Sequence, residues 1–249
     1  MKPLELAGQR QIAIKDERGK PHRFTLAQVT RERWVKYYKS IVHTNERKGD
    51  KVFPVDDFRT AMTGLAMDVL LSADGYKLPA GVEKITELPD WKAKIPAGHR
   101  FALGQMLTRV SVIAPTDEED DFGFQTIGLE ATWNCDADGN MLLHTPLLHH
   151  FGTPSFEHEH RYRRDSARMA VVGGGRTGKT IYYPAEETLM EIYDELIMSV
   201  EGYTINGQPV QDPAQDMDAS HKFVAAQELF REPPPVKAEA KPEEAAEAA

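Results

Sequence analysis

Between Gln11 and Thr25 short β-prone runs flank the polar cluster Asp16-Glu17-Arg18-Gly19-Lys20, a pattern that predicts a hairpin closed by a turn. Trp34, Tyr37, Tyr38, Ile41 and Val42 then recur at helical spacing, with Arg31, Arg33, Lys36 and Lys39 largely off that stripe. The spacing predicts an amphipathic helix with a basic outer face. Asn45 to Lys51 reads as a polar loop, and Pro54 with Asp56 and Asp57 as the start of a second helix that runs to about Leu71. Phe58, Met62, Leu65 and Val69 form its apolar stripe, and Asp74-Gly75 is expected to stop it. Pro96 opens a further helix over roughly Ala97 to Arg109.

Past an acidic run, Asp117 to Asp121, the segments Leu129 to Asn134 and Met141 to Leu148 flank Asp136-Ala137-Asp138-Gly139-Asn140, which predicts a second hairpin. Leu189, Ile192, Tyr193 and Leu196 stripe a helix that starts at Pro184 and ends at Gly202. A last helix covers roughly Met217 to Arg231 and is stopped by Pro233-Pro234-Pro235. From Val236 to Ala249 the chain is almost entirely Ala, Glu, Lys and Pro. With so little to bury, this tail is expected to be disordered.

The second half follows the first in order, at offsets of about 120 to 130 residues. Ala97-Gly98-His99-Arg100-Phe101 meets Ala219-Ser220-His221-Lys222-Phe223, and Leu70-Leu71-Ser72-Ala73-Asp74-Gly75-Tyr76 meets Ile197-Met198-Ser199-Val200-Glu201-Gly202-Tyr203. Both upstream helices follow a proline, Pro54 or Pro184, and both hairpin turns carry Asp and Gly. The expected fold is therefore α+β, a tandem duplication of a hairpin-plus-helices unit with pseudo-twofold character. Residues 1–115 would form unit A with a hairpin and three helices, 116–123 an acidic linker, 124–232 unit B and 233–249 the tail. Gly19 should then superpose on Gly139, Tyr76 on Tyr203 and His99 on His221.

Composition narrows the chemistry. A chain of 249 residues, 41% hydrophobic, can bury one large core or two small ones. Its 39 acidic and 30 basic residues leave a formal charge of -9, which repels a nucleic-acid backbone and makes a nucleic-acid partner unexpected. Cys135 is the only cysteine, so an intrachain disulfide and a thiolate cluster are both excluded. No stretch approaches the roughly 18 apolar residues of a spanning helix and the N-terminal residues have no signal-peptide core, so a soluble cytoplasmic protein with no membrane partner is expected.

Gly173-Gly174-Gly175-Arg176-Thr177-Gly178-Lys179-Thr180 satisfies G-x-x-x-x-G-K-[ST] in full. As a phosphate loop, its amides from Gly173 to Gly178 would cradle phosphates, with Lys179 on the terminal ones and Thr180 on magnesium. Such a loop must open directly into a helix, whereas here β-prone Ile181-Tyr182-Tyr183 and then Pro184 intervene. The glycine run is therefore read as a turn, with an anion loop and a nucleotide site as alternatives, and no cofactor is expected. Five of the nine histidines, His144, His149, His150, His158 and His160, fall close together. If that stretch is extended, His158 and His160 share a face that Glu157 or Glu159 could complete as a metal or anion site. Arg161, Arg163 and Arg164, with Arg168 and Tyr162, make a basic strip. Together with Arg31, Lys36 and Lys39 it forms the candidate surface for a partner. His99 and His221 are expected to serve the fold, and no nucleophile elbow or kinase signature is present.

The charged hairpin leading into Phe24-Thr25-Leu26-Ala27-Gln28-Val29-Thr30-Arg31-Glu32-Arg33-Trp34 resembles the start of phage and prophage tail-assembly chaperones. The resemblance spans about the first seventy residues and extends to the acidic tail. It implies a non-enzymatic assembly protein of the host cytoplasm that binds a protein partner, a phage tail component such as the tape-measure protein. The family is mainly helical, and the β-rich middle and the repeat depart from it, so no functional residue is carried across.

Overall fold

A computed structural model describes residues 3–6, 9–48, 51–113, 125–130, 135, 138–140, 146–168, 170–175, 178–182 and 184–231, with the backbone alone at 42–48, 51–56, 170–175 and 178–182. The chain opens with a short strand β1 (Leu4–Glu5), followed by the hairpin β2 (Arg10–Lys15) and β3 (Pro21–Leu26). Alternation along β3 buries His22, Phe24 and Leu26 on one face, as the two-residue period of a strand requires. Helix α1 (Arg31–Lys39) is capped by Thr30, whose side chain accepts from Arg33 N, satisfying one of the free amides of the first turn. A second hairpin, β4 (Val42–Lys48) and β5 (Lys51–Asp57), leads into α2 (Phe58–Val69), capped by Asp57. Strand β6 (Leu70–Asp74) follows without a break, then α3 (Trp91–Lys94), α4 (Ala97–Thr108) and β7 (Ser111–Ile113).

The second half begins with β8 (Gln125–Glu130) and β9 (Leu147–Phe151), paired antiparallel. Helix α5 (Phe156–Ser166) starts from a reciprocal cap in which Ser155 Oγ accepts from His158 N while His158 Nδ1 accepts from Ser155 N at 3.0 Å. The hairpin β10 (Ala170–Gly175) and β11 (Gly178–Tyr182) leads into α6 (Ala185–Leu196) and β12 (Ile197–Glu201). Then come β13 (Tyr203–Ile205), β14 (Gln208–Pro209), α7 (Pro213–Asp216) and α8 (Ala219–Glu228).

Details recur between the halves. Strand β6 pairs with β3 and skips Leu71, while β12 pairs with β9 and skips Met198. The two skipped side chains are exposed. Each strand ends at a glycine with positive φ, Gly75 at 93° and Gly202 at 83°, a conformation that side chains resist. The inner hairpins close with Lys48 opposite Lys51 and Gly175 opposite Gly178.

The chain is α+β, and its helices and antiparallel sheets enclose one core that takes side chains from both halves, Phe24, Trp34, Leu65 and Leu103 with Phe151, Leu189, Tyr193 and Phe223 among them. One four-stranded sheet has the order β10-β11-β4-β5 and so joins the two inner hairpins, and β7 extends the order β12-β9-β8. Strand β1 pairs in parallel with β13. The tightest joint is polar. Asp218, fully buried, accepts from Arg10 Nη1 at 3.0 Å, Val29 N at 3.1 Å and Ser220 N at 3.1 Å. Ala219 N in turn donates to Val29 O. A buried carboxylate is tolerated because guanidinium and amides replace its lost water.

Several boundaries differ from the sequence expectation. Asn45 to Lys48 and Lys51 lie in the paired strands β4 and β5, not in a polar loop, and Ile41 and Val42 lie beyond α1. Helices α2 and α6 stop before Asp74 and Gly202 because each chain crosses into a strand that pairs with a distant partner. The acidic linker, most of the second hairpin's turn and the tail lie outside the described residues.

Candidate interaction surface

The structure holds two histidine–tyrosine centres. In the first, Tyr76 Oη lies 2.7 Å from His99 Nδ1, and the His22 ring packs 4.5 Å from Tyr76 and 4.9 Å from His99. His22 Nε2 is 3.6 Å from Asp16 Oδ2. Backbone amides, led by that of Lys20, hold the Asp16 carboxyl below its ordinary range. Burial lowers the His99 pKa, and the neighbouring His22 adds to the shift. His99 lines an open groove of about 500 Å³ beside Asp16, Arg18 and Ala102.

The second centre is sealed. Tyr193 Oη is 2.9 Å from His149 Nδ1, His149 Nε2 is 2.8 Å from Tyr203 Oη, and Tyr203 Oη is 2.8 Å from His221 Nδ1. Each bridging group gives one proton and accepts one, so donation runs in a single direction along the chain. Desolvation drives the His149 pKa well below 6.5 and both tyrosines well above 10, which keeps these three neutral. A buried hydrogen-bonded network of this kind specifies the packing of the core.

The basic residues expected to meet a partner are paired within the chain. Glu187, Glu191 and Glu195 recur every four residues along α6 and so form one stripe. Arg31 reaches Glu191 at 2.9 Å and Lys39 reaches Glu187 at 3.2 Å from α1. Arg161 of α5 bridges Glu191 at 3.2 Å and Glu195 at 2.9 Å. Lys36 pairs with Asp68, Arg163 with Glu159 and Arg164 with Asp165. The Arg164 guanidinium holds Asp165 down at about 2, and Thr188 Oγ1 donates to the same carboxylate at 2.8 Å, tying α5 to α6. The regular spacing of the three glutamates was the missed signal in the sequence.

The phosphate-loop motif takes a different form from a nucleotide cradle. Gly173 lies in β10, and Gly178, Lys179 and Thr180 lie in β11, antiparallel to it. Lys179 is opposite Gly174 on one side and His43 on the other, and Thr180 is opposite Gly173 and Val42. Their backbones lie in paired strands, and among the described residues the next helix begins only at Ala185. The metal alternative also changes. His158 and His160 belong to α5, not to an extended segment, and two residues apart on a helix point in divergent directions. His158 bonds Ser155 and Glu195, while His160 stacks on Phe156. Among the described residues no three His, Cys, Asp or Glu side chains converge as a metal site would need.

A second open groove, of about 600 Å³, lies between α5 and the end of α8, lined by Pro154, Phe156, Tyr162, Leu229 and Phe230 together with the charged Glu159 and Arg163. Phe156 is 81% exposed, and Tyr162 stacks on Phe230 at 4.9 Å. The place beside α1 is occupied. There Trp34 and Tyr38 pack 5.9 and 5.3 Å from Phe223 of α8, below the Asp218 joint. Sequence reasoning did not single out Phe156, because one apolar residue in a charged stretch carries no period.

No protein-family model matches the chain, and neither does any curated protein or solved structure. Among the described residues no helix is long and apolar enough to cross a membrane.

Proposed function

We propose that this is a duplicated interaction protein, of the phage or prophage tail-assembly kind that its opening residues resemble, which binds a protein partner and performs no chemistry of its own. The observation that carries the reading is the unequal fate of two like places. The groove beside α1 is filled by α8 of the same chain, whereas the groove beside α5 presents Phe156 at 81% exposure. An open aromatic patch rimmed by charge is the form in which soluble proteins present a docking site.

Support for duplication comes from the skipped residues Leu71 and Met198, the matched Gly75 and Gly202, and the Tyr76–His99 and Tyr203–His221 contacts. In this reading β4 and β5 correspond to β10 and β11. The order β10-β11-β4-β5 then joins the units head to tail, in place of the twofold relation expected from the sequence. The test is cross-linking mass spectrometry of the full chain co-expressed with a tail tape-measure protein. Cross-links concentrated on residues 154–163 and 229–231 are expected. Turnover of a small molecule by the purified protein, with no cross-linked protein, would refute the reading.

A further inference from the structure

We infer that the open groove beside α5 is the seat for the start of α4 from a second copy of this chain, so that the protein assembles head to tail. The inference rests on the duplication reading and follows from what the internal junction already does. At that junction α1 receives the N-terminal end of α8: Asp218 bonds Arg10 and Val29, Ala219 N donates to Val29 O, and Phe223 meets Trp34. Beside it, β4 pairs with β11. One unit thus offers an α1-type groove and a β4-type edge, and its neighbour offers an α8-type helix start and a β11-type edge.

One of each remains unused. Helix α5, capped by Ser155 as α1 is capped by Thr30, has the empty groove, and among the described residues β10 and β5 each pair on one side only. Helix α4 is the counterpart of α8, with Ala97 and Phe101 where α8 has Ala219 and Phe223. Ala219 is buried, and Ala97 is exposed. Because β11 and β5 both run antiparallel to β4, the two hairpins are related by a shift along the sheet. A second molecule's β5 can therefore follow β10 with the same sense. An interface of this kind is heterologous, and repetition gives a ring or a filament. Where the internal joint has Arg10 and Asp218, the outward one has Gln125 and Pro96. It lacks that buried ion pair and is reversible.

Sedimentation of the full chain across concentration tests this, with Phe156→Asp altering the groove and Ala97→Glu altering the helix start. Both sites are exposed, so circular dichroism should show folded variants. The wild type should rise in mass above the 28.0 kDa monomer, each variant alone should stay monomeric, and an equimolar mixture should stop at the dimer, because each variant keeps the face the other has lost. A wild type that stays monomeric overturns the inference, as does association unchanged in both variants. Association that appears only after removal of residues 232–249 overturns it too, because the groove then belongs to the chain's own tail. The duplication reading is judged separately, by superposing the halves in an experimental structure. Halves that superpose in a monomeric protein leave that reading standing and remove this one.

Discussion

Tyr76 with His99 and Tyr203 with His221 make the same contact, at 2.7 and 2.8 Å, in unlike surroundings. The first pair lies beside an open groove, and the second is buried and extended into a four-membered chain by His149 and Tyr193. Strand β1 supplies much of the difference. It lays Leu4 beside Tyr203 and donates Leu4 N to Gly202 O, whereas among the described residues no strand pairs beside Tyr76. One local device therefore serves as a half-exposed clasp in one half and as a structural centre in the other, and burial decides which.

The largest test of that asymmetry is at the starts of α4 and α8. Asp218→Ala leaves Arg10 buried without its carboxylate and removes the acceptor of Val29 N. It is expected to cost about 3–5 kcal/mol in urea unfolding. Pro96→Ala at the matching cap should change stability by under about 1 kcal/mol. Equal effects would erase the contrast.

Next comes the tyrosine pair. Tyr203→Phe deletes the hydroxyl between two buried imidazoles and should cost about 2–3 kcal/mol, against about 1 kcal/mol for Tyr76→Phe, where water can reach the imidazole. Chemical denaturation of both variants sharpens or collapses the comparison.

Stability should also depend on pH through the sealed centre. The folded His149 pKa lies well below the unfolded 6.5, so between the two values the unfolded chain binds more protons. Its contribution is complete above about pH 6.5 and falls as the pH drops below it, by up to about 1.4 kcal/mol per pH unit. His149→Phe, which places in β9 the residue type that Phe24 supplies in β3, should flatten this slope in unfolding curves measured down to about pH 5. His99 shifts in the same direction and should leave a residual slope.

The smallest effect belongs to the glutamate stripe. Glu191→Gln weakens the links to Arg31 and Arg161, both partly exposed, and should cost under about 1 kcal/mol and less as salt is raised. A larger loss measured by thermal unfolding would mean that α1, α5 and α6 depend on charge more than on packing.

Helices with a clear stripe and cap were legible from the sequence. Trp34 and Tyr37 mark α1, Pro184 and Leu189 mark α6, and the Asp16 to Lys20 turn marks the first hairpin. Helix α5 was not, because Phe156 to Ser166 is almost wholly polar and docks on α6 through Arg161 and Asp165 instead of through an apolar stripe. The candidate interaction residues were found, but their partners were not. A cationic side chain reads the same whether it faces solvent or a glutamate on another helix.

The sequence by itself determined what is settled within a few residues: the turn at Gly19, the helix start at Asp57, and the faces of the apolar helices. A helix closes its hydrogen bonds four residues away, so its signal is local. Only the tertiary structure decided that Val42 to Lys48, Lys51 to Asp57 and Ala170 to Gly175 become strands, and that β4 meets β11. A strand obtains its hydrogen-bond partners from wherever the chain returns. For Thr180 that partner is Val42, and no property of the residues around either position encodes the meeting.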